Sequence, residues 1–354
     1  MNKPIISVVM VIRNVEHFLA ESIESILGQT FKDFEFIIVD FGSTDKSKVI
    51  ASGYAARDNR IMLHEIPNCS LTEARNAGCL LAQGRYIAVM DSDDISSPDR
   101  LMSELDFMDR HPEVGLLGTA TEWIDASGRP LRNERFPTED HEIRAALSLH
   151  SPFCQPTVLI RKEAFLLVGG YRAVFAQAED YDLWLRITEH FECANLKEAL
   201  LKYRIHPYQI SMRGRTEQTL CILAAQVSAL ARRKGNPDPL NSLKEVTPAT
   251  LATLGVTEAT QESMIVDECR HWIRHMCLAG EHSVALEAAI EIVRTDWEYV
   301  ERWQIADLYL TIAGLYWGQK KFLRCILAAG RAVAMRPKVV GRPLKPLLQR
   351  LGLA

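Results

Sequence analysis

The first ninety residues hold four runs of strand length: Ile5–Ile12, Phe34–Val39, Arg60–Glu65 and Arg85–Met90. Between them, Glu16–Gln29 repeats apolar residues at helical spacing (Phe18, Leu19, Ile23, Ile26, Leu27), and Lys46–Ala56 and Leu71–Ala82 read as further helices. A strand buried on both faces is continuously apolar, not alternating. Strands that alternate with helices at this pitch predict an α/β domain with a mostly parallel sheet, helices on both faces and right-handed crossovers.

The fourth run stops abruptly in acids: Tyr86-Ile87-Ala88-Val89-Met90 is followed by Asp91-Ser92-Asp93-Asp94. Open α/β sheets bind ligands at the carboxyl ends of their strands. Packed carboxylates repel unless a cation or hydrogen-bond donors offset them. An Asp-x-Asp at such a strand end is therefore a candidate Mg²⁺ or Mn²⁺ site, of the kind that holds phosphates. The competing local reading makes Asp93 or Asp94 the cap of a helix that enters at Pro98.

Downstream, Gly115–Phe136 is strand-like, with a hairpin turn at Ala126-Ser127-Gly128-Arg129-Pro130. Ser151–Ile160 reads as a strand and Glu179–His190 as an amphipathic helix. From about Thr216 the chain is helix-patterned, broken near Gly235-Asn236-Pro237-Asp238-Pro239. Residues 280–297 and 320–337 resemble each other at an offset of 40. The second places Phe322, Cys325, Ala332 and Pro337 much as the second helix of a tetratricopeptide repeat does. A generic helical hairpin accounts for them equally.

The net charge of −4 gives no case for nucleic acid. Eight cysteines without a C-x-x-C spacing suggest neither zinc nor a disulfide framework, and fit a reducing cytoplasm. No signal-peptide core and no run of membrane-spanning length is present. The last 24 residues hold six Arg or Lys and no acid (Arg331, Arg336, Lys338, Arg342, Lys345, Arg350), which suits anionic lipid headgroups or a solvated tail.

Several short runs stand in one order: Phe36-Ile37-Ile38-Val39-Asp40-Phe41-Gly42-Ser43-Thr44-Asp45; Ala74-Arg75-Asn76-Ala77-Gly78; Asp91-Ser92-Asp93-Asp94; Gly169-Gly170-Tyr171-Arg172; Glu179-Asp180-Tyr181-Asp182-Leu183-Trp184-Leu185-Arg186; and Tyr203-Arg204-Ile205-His206-Pro207. Together they resemble family 2 glycosyltransferases of the GT-A fold, over roughly residues 4–213. The resemblance implies a GT-A domain over residues 1–215 and leaves a helical region, 216–354, outside it. It implies metal-dependent, inverting, non-processive transfer of a sugar from a nucleoside-diphosphate sugar, UDP-sugar favoured, to a hydroxyl of a glycan or lipid-linked acceptor. Neither a Gln-x-x-Arg-Trp motif nor membrane-spanning helices, usual in processive relatives, is present.

Residue by residue, the resemblance makes Asp93 the direct ligand of Mn²⁺ or Mg²⁺. Asp91 shares the ion or holds the donor ribose, and His206 completes the site. Val11, Asn14, Asp40, Arg75, Asp91 and Ser92 fall on the donor-nucleotide side. Asp180 is the candidate catalytic base, with Glu179 positioning it. Gly170, Tyr171 and Trp184 fall on the acceptor side, while Arg204 and Ser211 could contact phosphate. Phe41 departs from the family, which usually places a second acid there to read the base. Surface-polysaccharide, lipopolysaccharide or glycolipid assembly at the inner face of the cytoplasmic membrane is the implied setting, with a protein partner or a second copy possible through the helical region. A sugar-1-phosphate nucleotidyltransferase is disfavoured, because Arg13-Asn14-Val15-Glu16 lacks the glycine-rich phosphate loop. The remaining alternative is a catalytically lapsed scaffold that acts through its helices.

Overall fold

The computed structural model of the protein describes residues 3–207, 209 and 214–336. Among the described residues, nine strands form one sheet: β1 (Ile6–Ile12), β2 (Phe34–Asp40), β3 (Ile61–Glu65), β4 (Tyr86–Met90), β5 (Ile95–Ser96), β6 (Val114–Asp125), β7 (Pro130–Glu134), β8 (Leu159–Arg161) and β9 (Glu192–Ile205). Their order is β3-β2-β1-β4-β8-β6-β9-β5, with β7 paired to β6. The helices among them are α1 (Leu19–Leu27), α2 (Ser47–Ala55), α3 (Leu71–Leu81), α4 (Arg100–Arg110), α5 (Asp140–Ala146), α6 (Lys162–Leu167) and α7 (Glu179–Ile187). Six helices follow: α8 (Arg215–Arg233), α9 (Pro248–Thr253), α10 (Glu258–Leu278), α11 (His282–Arg294), α12 (Arg302–Gly318) and α13 (Phe322–Met335).

β1 pairs in parallel with β2 on one side and β4 on the other, with Ile12 opposite Asp40 and Met10 opposite Met90. The chain builds outward to β3, then returns across β1 to β4. That reversal is the topological switch point where such sheets open a crevice. Beyond β4 the pairing turns antiparallel through β8. One sheet face (Ile6, Val8, Met10, Phe36, Ile38, Ala88, Met90) packs against Leu19, Ile23 and Ile26 of α1 and Leu101, Leu105 and Met108 of α4. Each fully buried aliphatic side chain there contributes about 1.5–3 kcal/mol relative to exposure. On the other face α3 lies close: a Cβ at Gly78 would stand 2.6 Å from Val9 Cγ1 and 3.2 Å from Val39 Cγ2.

Two local expectations are corrected. Residues 151–160 are not a strand; Gln155–Thr157 is a single 3₁₀ turn and β8 spans only Leu159–Arg161. Pro152 and Pro156 lack the N–H a ladder requires. Neither Asp93 nor Asp94 caps a helix, because α4 starts after Asp99.

Backbone contacts divide the chain into two units. The first comprises Met1–Ile124, Arg132–Arg204 and Ala225–Glu245; the second comprises Asp125–Leu131, Ile205–Ala224 and Val246–Ala354. In the second, α10 packs on α11, α11 on α12, and α12 on α13. Ser211, Pro337 and the tail cations Lys338, Arg342, Lys345 and Arg350 lie outside the described residues. Among the described residues, no helix is long and apolar enough to cross a membrane.

Candidate active site

The acids after β4 stand at the switch point. A narrow crevice there is lined by Val9 and Val11 of β1, Val89 and Met90 of β4, Asp91, Arg75, Cys79 and Tyr171. Burial pushes the Asp91 carboxyl up to about 6; Arg75 opposes the shift, and Asp93 and Glu179 reinforce it. Asp94 is fully buried. Its Oδ1 accepts the backbone N–H of Arg204 at 2.7 Å, while Oδ2 has no partner. Burial, then the charges of Asp93 and Asp91, holds its carboxyl well above the usual range. Ser92 is also buried.

Arg204 reaches this loop from β9. Its Nε donates to the Asp93 carbonyl at 2.8 Å and its Nη2 to Glu21 at 2.5 Å, with the guanidinium 4.8 Å from the Phe18 ring. At 2% exposed, it braces the acidic loop from inside.

Arg75 joins the acids to the far wall. It sits at the start of the second turn of α3, whose beginning is fixed by a capping box between Ser70 and Glu73. Its Nη1 donates to Glu179 Oε1 and, at 3.1 Å, to Gln155 Oε1; its Nη2 donates to Asp91 Oδ1 at 3.3 Å. A planar guanidinium suits this fork, which an ammonium could not span. Burial works against the charged form, but Glu179 and Asp91 outweigh it and hold Arg75 charged.

Glu179 opens α7 after Ala178, which takes a left-handed φ of +55°. Three acids, Glu179, Asp180 and Asp182, occupy that first turn. They face the positive end of the helix dipole. Burial first, then Glu179, pushes the Asp180 carboxyl up to about 6, against the pull of Arg75. A carboxyl tuned into this range suits a general base near neutral pH.

The Gly169-Gly170-Tyr171 loop is clamped to α3. Asn76 Nδ2 donates to the Tyr171 carbonyl at 2.7 Å and its Oδ1 accepts the Tyr171 N–H at 2.9 Å. Gly170 takes φ +70°, and a Cβ there would stand 2.7 Å from Asn76 Oδ1. Thr72 Oγ1 donates to the Phe175 carbonyl at 2.9 Å. Tyr171 is thereby held against the crevice.

Trp184 requires a correction. It is fully buried and its ring packs 6.0 Å from that of Phe153, so it is enclosed rather than turned to an acceptor. Asp182 forms a structural cluster that sequence reading missed. It is fully buried and accepts from Arg172 Nε at 3.0 Å and Arg186 Nε at 2.9 Å. Arg172 Nη1 also donates to Asp238 at 2.8 Å, and Asp238 accepts from Ser228 and Arg232. The only signal for it was the shared spacing of Arg172, Asp182 and Arg186 within the motifs.

On the nucleotide side, Asp40 is buried and its Oδ1 accepts the N–H groups of Gly42 at 3.0 Å and Ser43 at 2.8 Å. It shapes its own loop with the oxygen so used. Asn14, at φ +55°, spends its Oδ1 on the N–H groups of Thr44 and Asp45, tying the β1–α1 loop to the β2–α2 loop. Phe41 is buried, with the exposed Arg13 guanidinium 5.4 Å from its ring centre, so it packs locally. His206 belongs to the second unit; it is buried and its backbone N–H donates to Gln209 Oε1 at 3.3 Å.

Among the described residues, no three His, Cys, Asp or Glu side chains are gathered closely enough to hold a metal by themselves. Mg²⁺ and its like are commonly held by one or two carboxylates plus substrate phosphates. Asp91 and Asp93 supply the first part of such a set. The raised Asp91 and Asp94 carboxyls and the unpartnered Asp94 Oδ2 mark a site short of positive charge. The donor set fits a hard divalent cation.

Residues 7–168 match the model of "Glycosyl transferase family 2". The putative glycosyltransferase EpsE of Bacillus subtilis is 39% identical over 206 residues, covering 57% of this chain and 73% of that protein. The O-antigen biosynthesis glycosyltransferase WbnJ of Escherichia coli is 34% identical over 208 residues, covering 57% of this chain and 80% of its own. The fold is similar to that of S. aureus TarS 1–349 in complex with UDP-GlcNAc, with a TM-score of 0.54 and 16% identity over 92% of this chain and 90% of that one. The likeness to EpsE spans most of that relative, so the chain belongs to glycosyl transferase family 2 and is a glycosyltransferase with a GT-A-like fold.

Proposed function

We infer that the protein transfers a sugar from a nucleoside-diphosphate sugar, UDP-sugar favoured, to a hydroxyl of a glycan or lipid-linked acceptor, with inversion at the anomeric carbon. One observation carries this reading: Arg75 ties Asp91, at the end of β4, to Glu179, beside Asp180 at the start of α7. A donor seated over the acids would present its anomeric carbon toward α7. Asp91 and Asp93 would hold Mn²⁺ or Mg²⁺ together with the donor phosphates. Such a cation offsets the negative charge that builds on the departing diphosphate. Asp180 takes the proton of the acceptor hydroxyl as its oxygen attacks, and a single displacement inverts the configuration. Arg75 and Glu179 fix the separation of the two halves, while Asn76 holds the Gly170-Tyr171 loop on the acceptor side.

The preference for UDP draws on the fold likeness to TarS with UDP-GlcNAc, and the polysaccharide setting on the name of the WbnJ relative. Residues 1–215 would be the transferase module. The helical hairpins of 216–354 would be an accessory region that brings the enzyme to lipid-linked acceptors at the inner membrane face or to a partner. The test is a panel of UDP-, GDP- and dTDP-sugars with Mn²⁺, followed by donor hydrolysis and by calorimetric binding. At least one donor should bind and turn over slowly. No binding and no turnover with any donor would overturn the reading.

A further inference from the structure

The last described helix, α13, carries an outward face unlike its counterpart. α11 and α13 begin 40 residues apart, at His282 and Phe322. Each is entered through the same turn, with a left-handed residue (Gly280 at φ +82°, Lys320 at φ +58°). In each the next N–H closes back on the preceding helix at 2.9 Å, Glu281 to the Met276 carbonyl and Lys321 to the Tyr316 carbonyl. The two helices are therefore equivalent position by position.

Their surfaces differ in kind. Phe322, Leu323, Ile326 and Leu327 of α13 are 52%, 73%, 67% and 61% exposed. Three of the matching α11 positions are polar (His282, Ser283 and Glu287), and the fourth, Leu286, is buried. A further repeat stacked on α13 would cover the Ile326 position as Leu286 is covered. It would leave Phe322, Leu323 and Leu327 in water, where the equivalent α11 residues are polar. Contiguous exposed apolar surface of this kind marks an interaction site.

Charge identifies the occupant. After Asp307 the chain has no acid up to its last residue, against nine cations: Lys320, Lys321, Arg324, Arg331, Arg336, Lys338, Arg342, Lys345 and Arg350. Arg324 and Arg331 border the apolar face and lie over the Tyr316 and Tyr309 rings at 5.7 and 5.6 Å. The chain's own cationic tail, or the same face of a second copy, would bring like charges together. We propose that α13 docks the protein on an anionic lipid surface, its Phe322-Leu323-Ile326-Leu327 face entering the headgroup boundary and Lys320, Lys321, Arg324 and Arg331 meeting lipid phosphates. An interfacial helix with an apolar face and a basic border behaves in this way. The proposal is independent of the reaction assigned to the acid cleft.

Sedimentation of the full chain with vesicles tests it, using phosphatidylglycerol-rich against pure phosphatidylcholine vesicles. The wild type should partition at least about tenfold more strongly onto the anionic vesicles, and salt should weaken that binding. The triple variant Leu323→Gln, Ile326→Gln, Leu327→Gln changes no charge and alters only exposed side chains. It should lose about tenfold or more of the binding, with unchanged circular dichroism and with donor hydrolysis within about twofold of wild type. Wild type that ignores anionic vesicles, or a folded triple variant that binds as well, would overturn the proposal. So would a wild-type dimer, seen by light scattering, that the triple substitution dissolves while vesicle binding is absent.

Discussion

Arg75→Gln tests the central joint of the site. The guanidinium is 12% exposed and Glu179 only 4%, so the substitution leaves Glu179 buried beside Asp91 with no cation between them. Removing one partner of a buried pair costs about 3–5 kcal/mol, because the charge left behind cannot be solvated. At roughly 2–4 °C of melting temperature per kcal/mol for a unit of this size, the variant should melt about 6–20 °C lower at pH 8. The deficit should depend on pH in one direction. Without Arg75, which opposes the upward shift of Asp91, the folded-state pKa of Asp91 rises further above its unfolded value. Groups so raised destabilise increasingly as pH climbs through the carboxyl range, and cost nothing once both states are protonated. Asp91 already titrates near 6 with Arg75 present, against 3.8 unperturbed, so the window opens near pH 4 and extends above 6. Differential scanning calorimetry of wild type and variant at pH 5 and pH 8 reads both quantities. A deficit under about 3 °C at pH 8, or one as large at pH 5 as at pH 8, would refute the reasoning, since about 1 kcal/mol is too little for a buried pair.

Other consequences can be measured separately. Asp180→Asn should lower transfer by about 10²–10⁴-fold while donor binding by calorimetry stays unchanged, as loss of a general base requires; near-normal transfer would remove Asp180 from that role. In the wild type the rate should fall on the acid side of about pH 6, as Asp180 takes up its proton, and the Asn variant should lack that limb. Gly170→Ala should cost about 2–5 kcal/mol, combining a left-handed alanine with overpacking against Asn76 and Phe165; urea unfolding at matched m-values measures it. Asp93→Asn should abolish whatever gain in donor affinity Mn²⁺ gives and leave the metal-free affinity in place, which titration with and without EDTA distinguishes.

Much of the catalytic half was legible in the chain. β1, β2 and β4 are buried on both faces, so each is written as a largely apolar run, interrupted by Ser7 in β1 and Glu35 in β2, and the acids that end β4 stand out against it. β9 was not legible: its buried residues are interrupted by exposed ones at Lys197, Glu198 and Ala199, so no simple period marks it. The 151–160 segment misled because Val158, Leu159 and Ile160 are apolar, yet two prolines limit the ladder to three residues.

What the sequence determined by itself was local: periodicity, strand ends, the glycines at 169 and 170, and the acids at the start of α7. Each depends on neighbours within a few positions, and hydrophobic burial imposes the pattern directly on the chain. Which acid does what was decided only in three dimensions. Asp94 is held by an N–H that lies 110 residues away, Arg75 reaches 104 residues to Glu179, and Asp182 turns inward to Arg172 and Arg186 while its neighbour Asp180 remains beside the crevice. Desolvation and charge act through space rather than along the backbone, so identical aspartates within one helical turn acquire different roles from what folding places against them.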